Sequence, residues 1–402
     1  MVCGRQMRGM DSLCKARGIK HMEKGFIPFY VPWITAEDKR AMLKALSSRW
    51  LTGGPIAAQF EEAFAKYIGA EYAVSVNSCT AALHLAMRAL NIKPGDEVIV
   101  PVFTFAATAN APLFCGAKPV FADIDKKTFN ISPEDILERI TGKTRVIIPV
   151  HYGGQACDMK AIKEIAEDHK LSIVEDCAHS LGAEYEGEKT GRFGIGCFSF
   201  YPTKIITTLE GGMLTTNDRD VTRKLKILRE HGMTRSAMQR ELAAKWRYDI
   251  VELGYNYRLS EAQAALGLSQ LIRVEEGIRK RIELANYYTE KLSSQVSHEI
   301  VPPYRALNRR HVFHLYAVKV AEDARITRDE LFARLTKEGI GLSVHYTPLH
   351  YFSFYKKFLK KKTKGFPNAE NVYKQILSLP LFPTLSRKKI DFIIQKIREN
   401  IR

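Results

Sequence analysis

Two segments place reactive side chains where apolar runs end. Val174-Glu175-Asp176-Cys177-Ala178-His179 carries an acid at the close of a strand-like run, then a small residue and a histidine. Ser199-Phe200-Tyr201-Pro202-Thr203-Lys204 closes a second run with a hydroxyl and an amine. Glu210-Gly211-Gly212 follows, where backbone can pass close to a neighbour. Singly, these are an acid that caps a turn and a surface lysine. Jointly they have a chemical reading. Pyridoxal phosphate needs a lysine amine for its aldehyde and a carboxylate that keeps its ring nitrogen protonated. It also needs hydroxyl and N–H donors for its phosphate, best at a helix N-terminus, and flat contacts on both ring faces. Asn77-Ser78-Cys79-Thr80-Ala81 ends a strand and opens a helix, so it can cradle the phosphate. Phe105, in Phe103-Thr104-Phe105, offers an aromatic face, and Ala178 is small enough for the other.

The surrounding pattern must deliver these residues to one place. Thr35 N-caps a helix with Glu37 and Asp38 in its first turn, and Phe60, Phe64 and Tyr67 fall at helical spacing in the next. Seven short β-branched or apolar runs follow: 72–76, 97–101, 119–122, 145–150, 172–175, 196–200 and 212–215. Helical patterns separate most of them. That alternation predicts an α/β fold with a mostly parallel sheet covered on both faces, and ligands beyond the strands' carboxyl ends. Every residue singled out above falls at such an end. After about residue 258 the chain turns helical, with 260–278 and 281–292 forming one long, kinked helix. A strand at 314–320, a helix at 328–338, a strand at 342–346 and two terminal helices predict a smaller C-terminal α/β domain. The expected division is a flexible basic extension over 1–24, a large domain over 25–270 and a small domain over 271–402.

Motifs along nearly the whole chain carry a family likeness: TGGPIAAQFEEAFAKYIGA, NSCTAALHLAM, FTFAATANA, PVHYGGQACDM, VEDCAHSLGA, GCFSFYPTKIITTLEGG, GYNYRLSEAQAALG, VHYTPLH and the FPNAE…SLPLFP tail. From about residue 26 to 400 the chain resembles the DegT/DnrJ/EryC1/StrS family of sugar aminotransferases, pyridoxal-phosphate enzymes of fold type I. The resemblance implies that Lys204 is the Schiff-base lysine and proton shuttle, and that Asp176 pairs with the pyridine nitrogen. It implies Ala178 and Phe105 on the ring faces and His179 near the cofactor's 3-hydroxyl. Ser199, Thr80 and the backbone of Cys79 match phosphate ligands, Cys79 standing where relatives often carry Gly or Ala. Asn256 resembles a phosphate ligand that reaches in from a second subunit, which implies a homodimer with shared active sites. His345, Tyr346 and Arg258 resemble substrate-side residues, and Gly53, with Thr52 and Gly54, lines the sugar pocket or makes a turn. The implied activity moves an amino group from glutamate or glutamine to a nucleotide-linked keto-sugar, for surface polysaccharide or glycoside biosynthesis. A dehydratase branch that replaces the lysine with histidine is disfavoured by Lys204, and a non-catalytic cofactor-binding regulator is the other alternative.

Composition narrows the partners. Across 402 residues, 61 Lys+Arg face 44 Asp+Glu, a net charge of +17 that raises nucleic acid as a partner. Residues 1–24 hold six basic and two acidic side chains, and residues 356–402 hold thirteen and three, so the ends carry nearly all the surplus. The frame between them is close to neutral, and no nucleic-acid-binding motif is visible. A nucleic-acid partner is therefore the remote alternative. No apolar run reaches 18 residues, which excludes a conventional membrane-spanning helix. Seven cysteines, at 3, 14, 79, 115, 157, 177 and 197, form no CxxC pair. An odd number without metal spacing predicts reduced thiols, no metal site and a cytoplasmic setting. Residues 1–21 lack the apolar core of a signal peptide. They read as a flexible extension, with a transit segment or a start at Met22 as alternatives.

Overall fold

The computed structural model describes residues 25–244, 246–359 and 365–401. The flexible extension expected over residues 1–24, and residues 360–364 of the basic C-terminal stretch, lie outside the described residues.

The seven expected strands are β1 (Tyr72–Val76), β2 (Glu97–Pro101), β3 (Lys118–Ala122), β4 (Thr144–Ile147), β5 (Ser172–Asp176), β6 (Ile195–Ser199) and β7 (Gly212–Thr216). They form one sheet in the order β1-β7-β6-β5-β4-β2-β3. The pairs β2–β3, β2–β4, β4–β5 and β5–β6 are parallel, and β7 runs antiparallel to both of its neighbours. The strands read as continuous apolar runs because both faces are covered. In β2, Val98 and Val100 enter one apolar cluster and Ile99 the opposite one, as a period of two requires. The expected Thr35 cap is present: its hydroxyl accepts the Asp38 N–H, and the Asp38 carboxylate accepts the Thr35 N–H.

A second, three-stranded antiparallel sheet joins β8 (Ile300–Val301), β9 (Tyr316–Val320) and β10 (Ile376–Leu379). Its core gathers Tyr288, Tyr316, Leu335 and Ile393, together with Ile27 from the start of the described chain. Ile27 bridges Ile340, and its N–H donates to the Gly339 carbonyl at 2.9 Å. Gly339, at φ +77°, ends the Arg328–Lys337 helix in the left-handed conformation that glycine tolerates.

Three expectations about elements change. The long helix is two, Glu261–Leu271 and Val274–Gln295. They part at Ile272–Arg273, where the Arg273 guanidinium turns to bind Asp38 and the Trp33 carbonyl. The second helix serves both cores, with Val274 and Ile278 beside Phe64, and Leu284 and Leu292 beside Tyr316. Residues 342–346 are not a strand. A bridge from Ser343 to Ser378 is the pairing there, and the chain then carries His345 and Tyr346 toward the large sheet. The strand lies instead at β10, in the SLPLFP segment read above as part of a tail.

Candidate active site

Strands β5 and β6 are parallel neighbours with Asp176 opposite Cys197, so the groups that follow them emerge at one sheet edge. Asp176 is buried. Its carboxylate accepts the Thr108 hydroxyl at 2.8 Å and the Ala178 N–H at 3.1 Å. Burial pushes its pKa up, while those two donors and the Lys204 ammonium pull the other way. A cation placed beside it, such as a protonated ring nitrogen, adds to the pull toward the carboxylate.

Lys204 follows β6 on a turn in which its N–H donates to the Tyr201 carbonyl at 2.9 Å. Its own carbonyl accepts the Tyr30 hydroxyl at 3.0 Å. Both contacts hold the backbone while leaving the amine free to move. Burial pulls the amine's pKa down to about 8, opposed by Cys79 and Asp176. Near neutrality a useful fraction is therefore the uncharged nucleophile.

The Cys79–Ala89 helix begins at the end of β1. Ser78 is its N-cap, accepting the Ala81 N–H at 3.1 Å. The first N–H groups, on Cys79 and Thr80, have no intrahelical acceptor and form the positive end of the helix. Gly212 lets the start of β7 pass beside this turn. A Cβ there would meet the Ser78 carbonyl at 2.6 Å and the Cys79 nitrogen at 2.8 Å. The Cys79 thiol lies 3.6 Å from the Cys197 carbonyl, and burial pushes its pKa well up, so it stays protonated.

A polar wall faces this edge. His179 Nδ1 accepts the Gly153 N–H at 3.3 Å, and its Nε2 lies 2.9 Å from the Tyr346 hydroxyl. With Nδ1 used as an acceptor, the neutral ring carries its proton on Nε2 and donates to Tyr346. The Tyr346 hydrogen is then directed elsewhere. His345 Nδ1 lies 2.9 Å from Ser378 Oγ, and burial pushes its pKa down to about 4. Burial, then Lys204 and His345, holds His179 well below its ordinary value.

These groups share a cavity of about 560 Å³. Of the residues expected from sequence, it is lined by Cys79, Thr80, Phe105, Asp176, Ala178, His179, Ser199, Lys204, His345 and Tyr346. Phe105 is 60% exposed, so much of its ring is open. Gly53 and Arg258 lie elsewhere, lining a second cavity of about 780 Å³, where Arg258 stands 3.3 Å from Glu230. Asn256 is exposed and lines neither cavity. Tyr30, Thr108 and His314 were not anticipated. Thr108 sits in the FTFAATANA run, one helical turn from Thr104, and its hydroxyl lies 2.9 Å from that of Thr104. Beneath the site, His151 Nε2 lies 3.0 Å from Glu175, whose carboxylate also accepts the Gly191 and Phe193 N–H groups. His151, Glu175 and Cys177 are close enough to suggest a metal cluster, but these oxygens are already engaged.

The donor set fits pyridoxal phosphate. It offers an amine of lowered pKa, a buried carboxylate at hydrogen-bonding depth, a helix N-terminus and two flat contacts on one cavity. Comparison with known proteins agrees. Residues 32–398 match the DegT/DnrJ/EryC1/StrS aminotransferase family. The spore coat polysaccharide biosynthesis protein SpsC of Bacillus subtilis is 42% identical over 94% of this chain and 97% of its own length. GDP-perosamine synthase of Caulobacter vibrioides is 39% identical over 90% of this chain and 95% of its own. Among solved structures, the sugar aminotransferase Spr1654 of Streptococcus pneumoniae in its pyridoxamine-phosphate form superposes with a TM-score of 0.87 at 32% identity. That likeness covers 93% of this chain and 99% of Spr1654.

Proposed function

Since the chain belongs to the DegT/DnrJ/EryC1/StrS aminotransferase family, whose members are pyridoxal-phosphate-dependent sugar aminotransferases, we propose a specific reaction for it. An amino group passes from L-glutamate or L-glutamine to a nucleotide-linked keto-sugar, giving an amino-sugar nucleotide for a surface polysaccharide or a glycoside. The observation that carries the reading is the convergence of Lys204, Asp176 and the Cys79–Thr80 helix start on one cavity. The relatives named above act in polysaccharide and sugar-nucleotide chemistry, which supports the acceptor class.

Pyridoxal phosphate, when bound, supplies an electrophilic carbon for amines and an electron sink for charge developing at the donor's Cα. The chain's residues supply the rest. The Cys79 and Thr80 N–H groups, with the Thr80 and Ser199 hydroxyls, bind the phosphate. Asp176, oriented by Thr108 and Ala178, holds a proton at the ring nitrogen. Phe105 and Ala178 fix the ring's plane. Lys204 would hold the cofactor's aldehyde carbon and, once displaced by the donor amine, would serve as the base that takes the donor's Cα proton and as the acid that gives that proton back. His179 keeps Tyr346 oriented, and Tyr346 and His345 contact the substrate. Asn256, exposed and outside the cavity, serves the phosphate site of a second copy in a homodimer, with Gly53 and Arg258 on the same outer surface. We keep the division near residue 270 and a cytoplasmic location as part of this reading. Among the described residues no helix is long and apolar enough to cross a membrane.

A half-reaction screen tests the proposal. The enzyme is loaded with pyridoxamine phosphate and offered 3-keto and 4-keto sugars on UDP, dTDP and GDP. One of them should restore the absorbance of the aldehyde-bearing cofactor. If none does, while keto acids do, the acceptor assignment is wrong.

A further inference from the structure

The cavity described above has a wall that the assigned roles leave unused. Its lining includes no arginine among the described residues, and Lys204 is its one lysine. An amino-acid donor nevertheless brings a carboxylate into it. Two groups, one in the lining and one behind it, have unmet hydrogen-bonding capacity. His314 is 6% exposed and lines the cavity, yet its Nδ1 has no partner. Its ring lies 4.4 Å from that of His179. Arg281, 1% exposed, donates through Nη1 to the Phe313 carbonyl at 3.3 Å and the Leu381 carbonyl at 2.9 Å. Its Nε and Nη2 make no hydrogen bond, the Tyr30 hydroxyl stands beside the group, and among the described residues no carboxylate pairs with it.

A buried guanidinium without a carboxylate partner is costly, and the Tyr30 hydroxyl offsets part of that cost here. Its contacts place it directly behind the cavity. Phe313 precedes His314 in the chain, Leu381 is a lining residue, and the guanidinium lies 5.7 Å from the ring of Tyr30, another lining residue. The position of His314 is itself secured. The Val312 and Leu315 N–H groups donate to the Gly154 and Gly153 carbonyls, and a Cβ on Gly154 would meet the His314 nitrogen at 3.0 Å. Burial, with His179, Lys204, Arg281 and His345 nearby, holds the imidazole neutral, so it has one N–H to give. Rotating the ring about its χ2 bond exchanges a nitrogen for a carbon, so a nitrogen can be presented to the cavity.

We infer that His314, backed by the buried charge of Arg281, receives the carboxylate of the amino donor. The inference rests on the aminotransferase reading and names the recognition device on its donor side. His314 makes the contact, and Arg281 acts through its field without reaching the ligand. The chain's own contribution to this recognition is therefore a neutral imidazole in a positive field.

The test uses glutarate, a dicarboxylate without an amine, titrated into holoenzyme while the cofactor's absorbance is followed. His314→Phe keeps a ring beside His179 and removes the nitrogens. It should weaken glutarate at least tenfold and leave pyridoxal-phosphate affinity unchanged. His314→Gln, which retains a donor, should lose less than threefold. If the Phe protein does not hold cofactor, His314→Leu carries the same expectation, and the Gln protein remains the rescue. Equal glutarate affinity in wild type and His314→Phe overturns the inference. So does a wild type that L-glutamate converts to the pyridoxamine form but that does not bind glutarate. A wild type that takes up cofactor yet is converted by no amino acid overturns the aminotransferase reading instead.

Discussion

At the residue scale, Lys204 is the most exposed to test. Replacing it by alanine removes the amine while touching no strand of the sheet, so the protein should fold and lose turnover entirely. Turnover at the wild-type rate in Lys204→Ala would refute the role. The lowered pKa gives a second expectation that needs no substrate. Uptake of pyridoxal phosphate by cofactor-free protein needs the uncharged amine, which gains population as pH rises through the folded pKa. Uptake rate should therefore climb with a midpoint near 8, the value to which burial brings this amine. A midpoint in the range of an ordinary lysine, about 10.4, contradicts the burial argument. Asp176→Asn keeps the hydrogen bond from Thr108 in reach but removes the negative charge. The donor half-reaction should slow about a hundredfold or more, as when preorganised electrostatic stabilisation is lost. A single-turnover rate equal to wild type would separate Asp176 from proton transfer.

At the element scale, the structure depends on how helices start. Glu261 is fully buried and accepts the N–H groups of Gly54 at 2.9 Å, Ile56 at 2.7 Å and Ala57 at 3.2 Å. One carboxylate thus satisfies the opening of the Pro55–Ile68 helix while sitting in the first turn of its own. Glu261→Ala leaves three donors without that acceptor, and should cost about 3 kcal/mol, seen as a lowered thermal midpoint. A change below about 1 kcal/mol would mean that water replaces it. This cap was invisible in the sequence, because Glu261 and Gly54 are 207 residues apart and nothing local links them. Elements whose cause is local were legible: the Thr35 cap and the seven apolar runs stand where pattern placed them. Elements decided by tertiary contact were not. Arg273 breaks a helix that its neighbours would continue, because Asp38 captures it from another helix. The 342–346 run loses its ladder because three of its residues, Ser343, His345 and Tyr346, belong to the cavity. The site divides along the same line. Groups at strand ends were found from the sequence, whereas His314 and Arg281 gain meaning only from what they lack once folded.

At the scale of the whole molecule, the outer surface near the second cavity shows what one copy leaves uncovered. Leu242 and Trp246 are each 78% exposed and Leu253 is 73% exposed, on the stretch between Met238, which lines that cavity, and Asn256. Large apolar side chains this exposed along one segment suit a surface that another chain covers. With Asn256 exposed beside them, the proposed shared-site homodimer makes a quantitative prediction. Lys204→Ala and Asn256→Ala chains should each be inactive or nearly so as pure proteins, the second through weakened hold on the cofactor phosphate. Unfolded together and refolded, they pair at random, and about half the dimers are mixed. In a mixed dimer one site carries both defects. The other combines the Lys204 of one chain with the Asn256 of its partner and is intact. About a quarter of all sites are then of wild type, so roughly that share of activity should return, with the corresponding share of cofactor bound at wild-type affinity. Mixtures no more active than their parents, despite exchange of subunits shown by differential tagging, would place Asn256 outside the neighbouring site and leave each cavity to be completed within its own chain.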